Sequence, residues 1–217
     1  MTTFAPAPPT ATTDSSVPRR RTLVLLAVLF LLAFVGLMVS GHDNNSDSSL
    51  ATIRASYDQS HTVMAWMSYA AMATCALLVF VGGGIRSALR ARRSAWTADV
   101  AMLGFVVIAL TIASWVVSGL GMWHAVDQHD DASIRALNYI DTSNFLPLMI
   151  GMACAMVGVG TAALAAGSLP RWLAVVSIAL GCLAPLGPLG FIPTMLLPLW
   201  VVVVAAMVTL DPVHASS

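Results

Sequence analysis

Six apolar runs separated by short polar segments organise the chain from Thr22 onward, covering about residues 22–40, 62–85, 100–122, 145–167, 169–186 and 191–210. Each is close to the roughly 20 residues that an α-helix needs to cross the hydrocarbon core of a bilayer. The first run follows Arg19-Arg20-Arg21 and ends in small residues, Met38-Val39-Ser40-Gly41, as a secretory leader would. Its uninterrupted 19 residues exceed a signal core of roughly 7–15, so it reads as a spanning helix. Between the last two runs, Gly187-Pro188-Leu189-Gly190 cannot continue a helix and predicts a tight turn. The pattern predicts an all-α, polytopic membrane bundle of six transmembrane helices in one domain, residues 22–210. Flanking it are a disordered Thr/Ala/Pro/Ser-rich tail at 1–21 and a short tail at 211–217.

The polar segments after the first and third runs resemble one another. Val39-Ser40-Gly41, Ala51-Thr52-Ile53-Arg54-Ala55 and Tyr57-Asp58 have counterparts in Val117-Ser118-Gly119, Ala132-Ser133-Ile134-Arg135-Ala136, Tyr139 and Asp141. Such a unit is a two-helix hairpin with a polar cap, and two copies in the same direction are a parallel repeat whose caps sit side by side. Leu50, Ile53 and Tyr57, like Ile134 and Leu137, have helical spacing, so each cap predicts a short amphipathic helix lying on the membrane surface. Ser60 and Ser143 are the natural N-caps of the helices that follow.

Composition changes the picture only by setting the solvent. Hydrophobic residues make up 58% of the chain and charged ones 9%, far from a soluble domain. With zero net charge and no basic stripe, no nucleic-acid partner is expected. Arginines fix the orientation, because they are retained in short cytoplasmic loops. Arg19, Arg20, Arg21, Arg86, Arg90, Arg92, Arg93 and Arg171 fall on one side of the six-span arrangement, and most aspartates on the other. Both termini are therefore expected to be cytoplasmic, in a multi-pass protein of the cell membrane. Cys75, Cys154 and Cys182 lie inside apolar runs and read as packing residues.

The second half carries Ala136-Leu137-Asn138, Ser143-Asn144-Phe145, Gly167-Ser168-Leu169-Pro170-Arg171-Trp172 and Leu199-Trp200. In these stretches, above all Leu-Pro-Arg-Trp, it resembles a family of actinobacterial six-span integral membrane proteins of unknown function. The resemblance implies the topology and no activity. Physically, Ser168 is expected to cap the fifth helix and Pro170 to occupy its first turn.

No ionisable residue falls at mid-span depth, which argues against a proton-coupled path through a buried carboxylate. The commonest NTPase, metalloprotease and hydrolase signatures are absent from the sequence. Polar chemistry is concentrated on the outer side. His42, His61, His124 and His129 with nearby aspartates are weak metal candidates, and His61 with His124 a weaker haem pair. No metal or other cofactor is expected. Arg54 and Arg135 occupy equivalent cap positions and would suit an anionic head group, although pairing with Asp58 or Asp141 of their own loops is the simpler reading.

Small and hydroxyl residues form stripes on two spans: Gly104, Thr111, Ser114, Ser118 and Gly121 on the third, and Gly151, Cys154, Gly158 and Thr161 on the fourth. Close helix packing explains them most simply. The other reading is a lipid-accessible cavity walled by Trp66, Tyr69, Trp115 and Trp123 with an acidic group such as Asp58, Asp127 or Asp141 at its mouth, and His61 and Asn144 are further candidate ligand-binding residues. The leading expectation is a plasma-membrane protein that recognises a lipid, a hydrophobic small molecule or a membrane-protein partner through its outer caps. The alternative is a membrane-embedded enzyme acting on an isoprenoid-like substrate, in the manner of a terpene cyclase, with Asp58, Asp127 or Asp141 as general acid.

Overall fold

The computed structural model describes residues 20–40, 47–57, 61–90 and 95–208. Residues 1–19 and 209–217, which hold most of the expected tails, lie outside them, as do His42, Asp43, Asp58, Ser60, Arg92 and Arg93. Among the described residues there is no strand. The helices are α1 (Arg20–Ser40), α2 (Leu50–Tyr57), α3 (His61–Arg90), α4 (Ala95–Asp127), α5 (Asp131–Ser143), α6 (Phe145–Ala166), α7 (Arg171–Leu183) and α8 (Phe191–Val208).

Five of the helical stretches are long and apolar enough to cross a membrane, and these contain α1, α3, α4, α6 and α8. The bundle is thus that of a multi-pass membrane protein. Leu103, Leu110 and Val117, seven residues apart on one face of α4, are 63–70% exposed, a face that suits lipid rather than water.

α7 is shorter than its apolar run predicts. Its 13 residues rise about 20 Å, against a hydrocarbon core of about 30 Å. Residues at both ends of the run are spent on turns. Gly167 closes α6 with φ 61°, Pro170 is extended and precedes the first helical residue, and a 3-10 turn at Gly187–Gly190 leads into α8. Hydropathy counts these residues but does not see their conformation. The expected cap therefore shifts: Pro170, not Ser168, is the N-cap of α7, and the Ser168 hydroxyl is buried without a partner. Ser143 likewise ends α5 rather than capping α6, whose N-cap is Asn144.

α3 and α4 are antiparallel, as are α4 and α6 and then α6 and α7. At one end, here the arginine end, Asp99 at the start of α4 pairs with Arg86 (2.6 Å) and Arg90 of α3. Close helix packing dominates from this end to the middle. A Cβ on Gly158 would lie 2.6 Å from the Ala101 nitrogen, and one on Gly104 2.6 Å from the Gly151 carbonyl oxygen, so α4 and α6 meet backbone to backbone. Gly160 against Ala174 and Gly181 against Val157 bring α6 and α7 together in the same way. Trp200 of α8 stacks on Phe105 of α4 at 6.1 Å and donates its indole N–H to Ser177 Oγ of α7 at 2.8 Å. The glycines of both predicted stripes thus lie at helix contacts.

At the opposite, cap end, α2 and α5 fold over the last turns of α4. Ile53 and Tyr57 of α2, Met122 and Ala125 of α4, and Ile134 of α5 form a second small core, separate from that of the bundle. The apolar stripes of both caps therefore face protein, and the equivalent residues Ile53 and Ile134 share one cluster. Asp130 fixes the start of α5, its carboxylate accepting from the Ser133 hydroxyl (2.6 Å) and from the Ser133 and Ala132 amides. Those bonds, the Ser133 hydroxyl first, hold its carboxyl below the usual aspartate range.

Candidate ligand-binding site

Under the caps the helices separate, and two cavities adjoin. The larger, of about 290 Å³, lies between α1, α3 and α4. Its walls are apolar: Phe34, Leu37 and Met38 from α1, Met67 and Ala71 from α3, and Ile112, Trp115, Val116 and Leu120 from α4. Gly119 lines it as well, and a Cβ there would meet nothing within 4 Å. The polar groups are few: Ser68 of α3, Tyr57 descending from α2 and Asp141 from α5. Met38 and Leu120 line the chamber and are also 41% and 39% exposed, so its wall is open toward the lipid-facing surface at these two residues. The smaller cavity, of about 280 Å³, is a polar vestibule bounded by Arg54, Trp123, Asp127 and His129, with Tyr57 in the wall common to both.

Hydrogen bonds from α4 hold the polar end of the chamber. Ser118 Oγ donates to Asp141 Oδ1 at 2.7 Å, the Trp115 indole N–H donates to the Asp141 carbonyl oxygen at 3.3 Å, and the Asn144 amide donates to Ser114 Oγ at 3.0 Å. Two hydroxyls of the predicted stripe, Ser114 and Ser118, therefore serve the α5–α6 elbow, Thr111 donates to the Val107 carbonyl oxygen of its own helix, and the glycines serve packing. Burial first, and the neighbouring Asp141 charge second, push the Tyr57 phenol up to about 12, so it is a neutral hydrogen-bonding group at physiological pH.

Of the site residues predicted from sequence, Asp141 and Trp115 line the chamber, and Arg54, Trp123 and Asp127 line the vestibule. Trp66 and Tyr69 do not wall it. They sit edge to face at 6.3 Å and are 70% and 71% exposed, where they suit interfacial anchoring. The two cap arginines do not line a common cavity among those described, since only Arg54 borders the vestibule. Arg54 pairs with Asp131 of the other cap, tying α2 to α5, while Arg135 is exposed. Asn144 acts on Ser114, next to the chamber rather than in its wall. His124 contacts Gln128 and His129 contacts the Val126 carbonyl oxygen. Among the described residues, no three His, Cys, Asp or Glu side chains are grouped to hold a metal ion. Asp58, His42 and the His61 side chain lie outside the described residues.

The α1 wall and Ser68 were beyond sequence reasoning, since nothing in an apolar run marks which face borders a void. Tyr57 carried a weak signal as the aromatic end of the Leu50, Ile53, Tyr57 stripe. No protein-family model, curated protein or solved structure matches the chain. In chemical terms the chamber is a mostly apolar space with one polar end, near the lower bound of about 300 Å³ for small-molecule sites. Such a space can orient an amphiphile.

Proposed function

We propose that the protein crosses a cell membrane six times with both termini cytoplasmic, and that the chamber beneath its outer caps binds a lipid or a hydrophobic small molecule. The observation that carries this reading is the chamber itself: apolar walls, a polar end built by both caps, and an open side at Met38 and Leu120. The orientation rests on the arginines, with Arg86, Arg90 and Arg171 at one end of the bundle and the aspartate-bearing caps at the other. As the sixth span, α7 would cross with the help of the flanking turns and local thinning of the bilayer. Membership in the actinobacterial six-span family that the second half resembles belongs to the same reading, as does descent of the two capped hairpins from one unit. Its support is the Leu169-Pro170-Arg171-Trp172 stretch, where Pro170 opens α7 and the exposed Trp172 suits an interface.

Native mass spectrometry of the protein extracted with its own lipids tests the site. A retained small hydrophobic species in the wild type, lost in Gly119→Phe, is the expected result. Retention of the same species by the filled variant would overturn it.

One observation favours the enzymatic reading as a second: an outer aspartate, Asp141, does line the chamber beside Trp115 and Tyr57. Incubation of proteoliposomes with an isoprenoid alcohol or diphosphate would then yield a product that Asp141→Asn fails to form. Equal turnover by that variant removes Asp141 as the acid.

A further inference from the structure

Two helix faces that are buried lower in the bundle emerge from it at the chamber. Met38 stands about three turns beyond Ala27 on the same face of α1, and Leu120 about three turns beyond Ala109 on the same face of α4. Ala27 and Ala109 are buried, whereas Met38 and Leu120 are exposed and line the cavity. At this level the protein no longer covers either face, and the gap between them leads into the chamber. The roof is different. Tyr57 of α2 is buried there, packed with Ile53, Met122, Ala125 and Ile134 in the core of the caps. Depth decides what meets the side opening. Asp99, held by Arg86 and Arg90, marks the arginine-end rim of α4, and Leu120 follows 21 residues later. At about 1.5 Å per residue the distance is about 30 Å, one hydrocarbon thickness. Ile112, on the chamber floor, lies about 12 Å deeper. The opening is therefore at the rim of the hydrocarbon core, and the chamber extends inward from it beside the lipid chains of the cap-side leaflet.

We propose that the occupant is one hydrocarbon chain of a membrane lipid, which enters sideways from the cap-side leaflet between Met38 and Leu120. The head and the second chain stay in the bilayer, and the terminal segment of the inserted chain lies between Phe34 and Ile112. At about 30 Å³ per water-sized group, the cavity accommodates about ten such groups, so part of a long chain remains outside. A water-borne molecule approaching from above meets Tyr57 instead. The proposal rests on the ligand-site reading given above and deepens it by naming the ligand class, a long-chain membrane lipid, and its route.

The test uses the full chain in palmitoyl-oleoyl phosphatidylcholine vesicles that also contain a phosphatidylcholine with a diazirine near the end of one chain. After illumination, peptide mass spectrometry maps the labelled residues. Adducts are expected on Phe34, Ile112 or Trp115 inside the chamber, beside those on the lipid-facing Leu103, Leu110 and Val117, which serve as an internal reference. Leu120→Trp, which narrows the opening, should lose most of the chamber adducts and keep the reference ones. Adducts on the lipid-facing residues alone, or chamber labelling unchanged in Leu120→Trp, would overturn the proposal. A second arm separates its failure from that of the site: decanol retention in a maltoside micelle, read by native mass spectrometry for wild type and Gly119→Phe. Decanol held by the wild type and lost in Gly119→Phe, with no chamber adducts from the lipid, leaves the site and removes the lipid chain as its occupant. No chamber adducts and no decanol difference would overturn the site and this proposal with it. The wild-type adduct map needs no variant, so it decides the occupant even if Leu120→Trp fails to fold.

Discussion

Two glycines of α4 show how differently the two ends of the bundle are built. At the arginine end, Gly104 faces the backbone of α6, and a Cβ there would press on Gly151 and Ala155. About four turns further along, Gly119 faces open space, with nothing within 4 Å of an added Cβ. Both glycines interrupt similar apolar sequence. The first lets two helices touch, a contact that only the smallest side chain permits. The second widens a chamber, because α1, α3 and α4 separate there and the caps span the gap. Close packing at one end and a void at the other divide the molecule into a part that holds the fold and a part free to hold something else.

The sharpest way to break the comparison is to enlarge a glycine at each end. Gly158→Leu, which must displace the backbone of Ala101 and Thr97, is expected to destabilise by about 3 kcal/mol, read as a lowered melting temperature in micelles. Gly119→Leu should change stability in the opposite sense, by about 0.5–1 kcal/mol, since a better helix former enters empty space. Equal losses at the two positions would mean that the chamber collapses in solution.

The cap end should also respond to alkali. Tyr57 titrates near 12 when folded and near 10 when exposed, so its neutral phenol contributes stability that is fully present below pH 10. That contribution is lost progressively as the pH rises from 10 through 12, the loss reaching about 2 kcal/mol by pH 12. Melting temperatures of wild type and Tyr57→Phe between pH 9 and pH 12 check this. Only the wild type should lose the contribution, and parallel curves would place Tyr57 in water.

At the arginine end, Asp99→Asn removes a carboxylate shared by Arg86 and Arg90, but all three side chains are more than a third exposed. The expected loss in melting temperature is small, and it should shrink further in high salt. A larger, salt-independent loss would show that this end depends on charge as well as on glycine packing. The smallest effect belongs to the link between α4 and α5. His129 has φ 59°, a left-handed backbone that costs a non-glycine residue energy, so His129→Gly should gain about 0.5 kcal/mol in thermal stability.

Much of the fold could be read from residue order. Apolar run length placed α1, α6 and α8 within two residues of their observed bounds, because bilayer thickness dictates such runs, whereas α3 runs five residues past its run at one end and α4 five residues at each. Cap amphipathicity was equally local: Ile53, Tyr57 and Ile134 are buried where their spacing put them. Misplaced features all involved conformation or direction rather than polarity. α7 lost its ends to turns around Gly167, Pro170 and Gly187, and the caps Ser143 and Ser168 gave way to Asn144 and Pro170. Trp66 and Tyr69 have the right depth for a cavity wall but point away from it.

By itself, then, the sequence determined a multi-pass helical bundle, with its charge sorted to the two ends and a pair of amphipathic caps. Each of these follows from the solvent a segment must meet, which composition and period encode directly. Tertiary structure alone decided that Asp141, Tyr57 and Trp115, drawn from three helices, face one space, and that Arg54 spends its charge on Asp131. Those outcomes depend on how far apart helices stand and how they are rotated about their axes. Helix separation is set by the summed contacts of both partners, such as Gly104 against Gly151, and no single segment carries that information.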